Sequence, residues 1–377
     1  MSNARPKTYP KFSWDTVPVF AHLGKPAGDF NDTEQKFLAE HFPLIAIEKT
    51  QSMKVQGSKA ESAIIRVAQG IKSFNPQTKI LYYQNSYIDY PMYGASSVFQ
   101  ANPDWALKDK NGNPVTATNR KLPTYDISNP AMRQWWVERA KTAAKHPAID
   151  GLFVDAVSTI IDDSKSKRQN LEEGKYDAMN DAVKSLFLET RKAIGKDKLI
   201  IYNGMFAHQE LAGDGASRFI DFADGIMVEH FAALSGREND GKGKIIPERL
   251  ASEIELIPKL AAKGKLVFVK GFPCKMTWFP DDEFNDFSQE DRLNYAKEKI
   301  IFPLAAFLIA AEENCYFGYS WGYHDTHGWF QWYPEFDKPL GQPMASAIKN
   351  GWVYTREFEH AYVWLDVENE KAGIDWH

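Results

Sequence analysis

Cysteine is nearly absent, with Cys274 and Cys315 the only two in 377 residues, so no disulfide framework organises the chain. No apolar run reaches the eighteen or so residues that a membrane-spanning helix needs, and the start lacks the apolar core of a signal peptide. Membrane insertion is therefore not expected. Charge of one sign is also scarce: Lys and Arg number 45 against 50 Asp and Glu, for a net charge of -5 and a pI near 6.0. Such a chain has no long-range attraction for nucleic acid. No Gly-x-Gly-x-x-Gly or Walker-type loop follows any apolar run, which argues against a doubly wound open sheet. Low-complexity segments are missing too, as is any repeat longer than a strand and its helix.

What is present suits one large domain. Hydrophobic residues make up 44% and charged residues 25%, and aromatic residues reach 14%, with 11 Trp and 16 Tyr. Eight short apolar runs read as strands: Val17 to Leu23, Leu44 to Lys49, Ile80 to Asn85, Gly151 to Asp155, Leu199 to Asn203, Gly225 to Glu229, Leu266 to Lys270 and Cys315 to Ser320. Helical patterns separate them at Glu34 to His41, Ser58 to Phe74, Pro130 to Lys145, Tyr176 to Ile194, Pro247 to Lys263 and Gln289 to Ala311. After the fifth strand the helical pattern is weak, since Gly213 and Gly215 interrupt it. Strands alternating with helices predict an α/β fold, a single (β/α)8 TIM barrel, with a doubly wound open sheet as the rival.

The expected boundaries are a tail over 1–14, the barrel over 15–345 and a strand extension over 346–377 that packs on it. Ser2-Asn3-Ala4 reads as a cloning remnant, so a secretion leader is expected to have been lost. In the tail, Trp352 to Val367 reads as a β-hairpin turning at Glu359-His360. Cys274 follows the seventh strand and Cys315 opens the eighth, which puts them at opposite barrel ends, too far apart for a disulfide. Asn129 before Pro130 signals a helix start, and Asp32 or Thr33 is expected to cap the first helix. One of the neighbours Trp135 and Trp136 is expected to pack on the barrel while the other points elsewhere. A long aromatic loop, Ser86 to Asn129, leaves the third strand and is expected either to wall a site or to cover the barrel. Ser158 to Glu172 and Leu234 to Ile246 read as further loops on the same face.

The chemistry is expected where barrel strands end. Ile149-Asp150-Gly151-Leu152-Phe153-Val154-Asp155 is a buried strand opened by Asp-Gly and closed by an acid, and Asp224-Gly225-Ile226-Met227-Val228-Glu229 repeats the pattern. Asp150 and Asp224 precede their strands and read as turn residues. Asp155 and Glu229 end strands four and six and are predicted to face each other across the mouth. One carboxylic acid to protonate a leaving oxygen and one carboxylate to attack or activate water is what glycoside hydrolysis requires. Asp155 is read as nucleophile or base and Glu229 as acid. Other residues at strand ends and in the loops beyond are read as substrate-binding: His22, Glu48, Lys49, Tyr83, Asn85, Asn203, His230, Lys270, Trp278, Trp321, His324, Asp325 and Trp329. Glu48 is expected to pair with a lysine. Lys270 is expected to lower the pKa of a nearby carboxylate, and Tyr83, Trp278, Trp321 and Trp329 to serve as stacking platforms. Rival readings are a carbohydrate-binding barrel without catalysis and a metal-dependent hydrolase using His22, Asp155 and His324. The spacing of His324, Asp325 and His327 matches no standard zinc pattern, and no metal or other cofactor is expected.

Ile47-Glu48-Lys49, Tyr82-Tyr83-Gln84-Asn85, Tyr125-Asp126-Ile127-Ser128-Asn129-Pro130, Trp135-Trp136 and Asp150 to Asp155, with Leu340-Gly341-x-Pro343 and Tyr354-x-Arg356-x-Phe358, resemble hypothetical glycosyl hydrolase family 15. These glycoside-hydrolase-like TIM barrels are distinct from the glucoamylases that share the number. The resemblance spans nearly the whole chain and implies a carbohydrate-active barrel with a poly- or oligosaccharide substrate. The acids on strands four and six are also similar to those of α-galactosidase-like and endo-polygalactosaminidase-like barrels, which implies an α-linked galactose-type sugar. A polysaccharide substrate leads to the expectation of a secreted or periplasmic address.

Overall fold

The computed structural model describes residues 8–117, 120–162, 170–232, 245–273 and 287–377. Cys274, Trp278 and most of the loop around Gly236 to Gly243 lie outside these residues. Eight parallel strands form one sheet in sequence order: β1 Ala21–Leu23, β2 Leu44–Ile47, β3 Lys79–Asn85, β4 Gly151–Asp155, β5 Leu199–Met205, β6 Gly225–Val228, β7 Leu266–Gly271 and β8 Cys315–Tyr319. The first strand is shorter than the apolar run predicted, but the residues before it close the barrel. Val19 bridges Phe317, with Phe20 N–H donating to Phe317 O and Phe317 N–H to Pro18 O. The fold is a (β/α)8 barrel.

Between the strands run α1 Asp32–His41, α2 Ala60–Phe74, α3 Pro130–Ala144, α4 Lys175–Ile194, α5 Ala207–Ala212, α6 Pro247–Ala262, α7 Gln289–Lys299 and α8 Ile301–Ala310. Asn129 caps α3 as expected, accepting from the N–H groups of Ala131 and Met132. The cap of α1 is Asn31 rather than Asp32 or Thr33, because Asn31 and Glu34 close a reciprocal capping box. Gly213 and Gly215 limit α5 to one and a half turns, after which a 3-10 segment, Ala216–Phe222, reaches β6. The single helix expected over Gln289 to Ala311 is two helices, consistent with Pro303, which denies α8 a backbone donor.

The repeated Asp-Gly has a structural cause. Asp150 accepts from Ile80 N–H at the start of β3 and pairs with Lys72 at 2.8 Å. Asp224 accepts from Ile200 N–H at the start of β5 and pairs with Arg191. Each carboxylate ties its own strand to the preceding one, at the barrel end opposite Asp155. The glycines permit close approach: a Cβ on Gly151 would lie 2.3 Å from Leu199 O, and one on Gly225 2.4 Å from Leu266 O.

Much of the aromatic loop after β3 packs against the outer layer, while half-buried Tyr90 lies beside Lys49. Tyr87, Tyr93, Phe99 and Tyr125 are buried, and half-buried Trp135 meets Phe99, Trp105 and Tyr125 at 6.1, 5.4 and 5.8 Å. Trp136 is the one that faces the barrel, fully buried and donating through Nε1 to Asn85 O at 2.8 Å. At the far end the predicted hairpin is the centre of a four-stranded antiparallel sheet: β9 Ile348–Asn350, β10 Val353–Phe358, β11 Ala361–Asp366 and β12 Lys371–Trp376.

Candidate active site

Side chains of a strand alternate between its two faces, so Tyr83 and Asn85, Phe153 and Asp155, and His22 fall inside the barrel. The register places Asn85 beside Asp155 and Tyr83 beside Phe153. At the carboxyl end these positions converge with Asn203 of β5 and with Glu229, the residue after β6.

Asp155 and Glu229 are brought together by one amide. Asn203 Nδ2 donates to Asp155 Oδ1 at 3.0 Å and to Glu229 Oε2 at 2.6 Å. The facing oxygens therefore lie no more than 5.6 Å apart, the limit set by those two bonds to one nitrogen. Asp155 Oδ2 accepts from the Tyr83 hydroxyl and, at 3.1 Å, from Asn85 Nδ2. Glu229 Oε1 accepts from the Tyr323 hydroxyl at 2.8 Å, and His230 Nε2 stands 3.7 Å from Oε2. Burial, then the charge of Asp155, pushes the Glu229 pKa up to about 7, against the pull of Asn203 and Tyr323. The same burial, with the carboxyls nearby, holds the Tyr83 and Tyr323 phenols well above their ordinary range, so both remain donors.

Around this pair the other sequence-predicted residues take varied places. Lys49 Nζ pairs with Glu48 Oε1 at 2.6 Å and lies over the rings of Tyr83 and Tyr90 at 4.4 and 4.8 Å. Burial opposes its charge, but Glu48, Tyr90 and Asp155 raise its pKa above the usual value. Lys270 is fully buried and turns away from the expected task of acidifying a carboxylate. Its Nζ donates to the carbonyls of Gly271 and Ser320 and sits 3.7 Å from the Phe272 ring centre. His230 stacks between Phe206 and Phe272 at 5.2 and 5.8 Å. His324 is half-buried and stacks on His327 at 4.7 Å, and the Asp325 N–H donates to Gly24 O, both at the seam between β1 and β8.

Several substrate-binding assignments do not fit these positions. Asn85 spends its side chain on Asp155, Tyr83 and the N–H groups of Tyr87 and Ile88, which anchor the loop. Tyr83 is 1% exposed and presents no open face for stacking. Trp321 donates to Arg292 O and Trp329 to Gly322 O, both buried, so each ring is core packing. Among the described residues no trio of His, Cys, Asp or Glu is arranged to hold a metal ion. Sequence reasoning assigned no role to Tyr323; its place just beyond β8 was the available signal.

Eight parallel strands closed into a barrel with helices between them, and two carboxyls joined over strands four and six, define an architecture of the glycoside hydrolase kind. The chain belongs to hypothetical glycosyl hydrolase family 15, whose profile matches residues 72–362, and this places it among the glycoside hydrolases. Similar solved structures include an α-amylase from Geobacillus thermoleovorans complexed with acarbose, 11% identical over 94% of this chain and 87% of that chain, TM-score 0.50. An α-galactosidase from Thermus thermophilus is 14% identical over 96% and 68%, TM-score 0.47. Xylanase B from Clostridium stercorarium is 15% identical over 85% and 90%, TM-score 0.47. At such identities the likeness concerns the fold alone. A search of curated proteins finds no match.

Proposed function

We propose that this chain hydrolyses a poly- or oligosaccharide by a retaining, two-step mechanism with Asp155 as nucleophile and Glu229 as acid and base. The shared Asn203 amide carries the reading, because it limits the facing carboxyl oxygens to 5.6 Å. Retaining enzymes hold their carboxyls about 5 to 5.5 Å apart, whereas inverting ones leave about 6.5 to 9.5 Å for a water molecule. Asp155, held by Tyr83, Asn85 and Asn203, attacks the anomeric carbon while Glu229 gives its proton to the departing glycosidic oxygen. Glu229, now a carboxylate, then takes a proton from the water that releases the sugar from Asp155. A pKa near 7 suits a group that must donate and then accept near neutrality. The resemblance of this acid pair to those of α-galactosidase-like and endo-polygalactosaminidase-like barrels puts an α-linked galactose-type sugar first among the substrates to be tried.

The test is reducing-end release across polysaccharides and aryl glycosides, with product anomers followed by proton NMR. Wild type should cleave a member of the panel with retention, and Asp155→Asn and Glu229→Gln should each lose about a thousandfold or more in kcat while remaining folded. Inversion, or full activity in either variant, sinks the assignment.

A further inference from the structure

Three buried polar atoms beside the acid pair make no hydrogen bond to any described residue: both ring nitrogens of His22 and Oδ1 of Asn203. Buried polar atoms are seldom left this way, because the hydrogen bonds they lose from water go unreplaced. His22 is 2% exposed, and its ring is fixed between Phe153 and Tyr323, each 4.5 Å away. Those rings lead to both acids. Tyr323 donates to Glu229, and Phe153 stacks at 6.0 Å on Tyr83, which donates to Asp155. Asn203 directs its nitrogen at the two carboxyls, and its oxygen is left a buried acceptor with no partner among the described residues. The hydrolytic steps above use none of these three atoms.

We propose that His22 and Asn203 form a hydroxyl-reading floor that selects a neutral, hydroxylated sugar ring between Asp155 and Glu229. The inference rests on the two-acid reading for where the sugar lies. Burial, with Lys49 and Lys270 near, holds the His22 imidazole well below its ordinary pKa and so neutral. A neutral imidazole offers one N–H donor and one lone-pair acceptor, and a hydroxyl offers the matching acceptor and donor. A carboxylate only accepts and an ammonium only donates, so at the floor either would leave part of this set unpaired. The Asn203 oxygen accepts and likewise fits a hydroxyl. Sites that hydrogen-bond a substrate hydroxyl reject analogues lacking it far more sharply than apolar pockets reject a change of size.

The test uses the intact chain and the methyl glycosides of glucose, galactose, xylose, galacturonic acid and galactosamine, with binding followed by saturation-transfer NMR near neutral pH. Turnover of the matching nitrophenyl glycosides is measured alongside. His22→Phe keeps the ring stack and removes both nitrogens. A neutral glycoside should bind wild type about tenfold or more tightly than the two charged ones, and His22→Phe should weaken it by a similar factor. The thermal midpoint of His22→Phe should stay level or rise, since an unpartnered buried polar group gives way to an apolar ring. A lower midpoint with unchanged affinity assigns His22 to packing and overturns the proposal. So does equal binding of the charged glycosides, or binding of none of the neutral three. If a neutral glycoside binds through His22 and no glycoside is turned over, the floor stands and the two-acid reading falls. If turnover needs Asp155 and Glu229 but ignores His22→Phe, the floor falls and the two-acid reading stands.

Discussion

Glu229 keeps its proton because of where the backbone leaves it: buried, beside Asp155, with a pKa raised from 4.5 to about 7. Activity that needs this proton should fall as pH rises through about 7, which a profile of kcat/KM against pH will show. Tyr323 donates to Glu229 and lowers its pKa, so Tyr323→Phe should move that limb to higher pH. An unmoved limb would assign the acid to another residue. The same shift makes a stability prediction. Between pH 4.5 and 7 the folded state binds this proton and the unfolded state has released it, so stability falls as pH rises through that window. The loss, on the order of 3 kcal/mol, is complete above the folded pKa. Glu229→Gln should therefore raise the thermal midpoint near pH 8 and change it little near pH 4, as read by calorimetry.

At the scale of elements, Asp150-Gly151 and Asp224-Gly225 were legible as turns at strand starts, but their tie to neighbouring strands was not. That tie depends on Ile80 and Ile200, residues far off in sequence that the sheet register brings alongside. Gly151→Ala would drive a methyl into Leu199 O. It should destabilise the chain by about 1–3 kcal/mol, the usual cost of overpacking, measured by urea unfolding; an unchanged midpoint would show that β4 and β5 can separate. The aromatic loop after β3 shows the limit of composition as a guide. Tyr87, Tyr93 and Phe99 read equally well as a substrate wall or as packing, and the partners that decide it are on β3, α3 and elsewhere in the loop.

For the whole molecule, α8 joins the two sheets. Eight of its ten residues are buried, because β7 lies on one side and β10, β11 and β12 on the other; a helix apolar all round needs such cover. Arg356 of β10 is 3% exposed and reaches the end of this helix, donating to the carbonyls of Leu308, Ile309 and Ala311 and pairing with Glu312 at 2.9 Å. A cation there meets the negative end of the helix dipole and satisfies its last acceptors. Arg356→Ala should cost about 3 kcal/mol in denaturant unfolding, with Arg356→Lys recovering part. Ending the chain at 346 should give an aggregating product, since α8 would lose its outer cover. A soluble, cooperatively folding barrel from residues 1–346 would show that the small sheet is dispensable.

The sequence by itself determined the alternation of strands and helices, the barrel, and the acids and amide at the ends of strands four, five and six. Those follow from periodicity and from polar residues closing apolar runs, which are local properties of the chain. Only the tertiary structure decided which polar residues meet. Tyr83 became a donor to Asp155 rather than a platform, Asn85 a brace, Trp321 and Trp329 core, and Tyr323 a partner of Glu229. The physical reason is that hydrogen bonds form across strands and loops separated by tens to hundreds of residues, and their partners are fixed by register and barrel closure. Burial has the same origin: the environments that raise the Glu229 pKa and leave the His22 nitrogens unpartnered are built by distant segments folding around them.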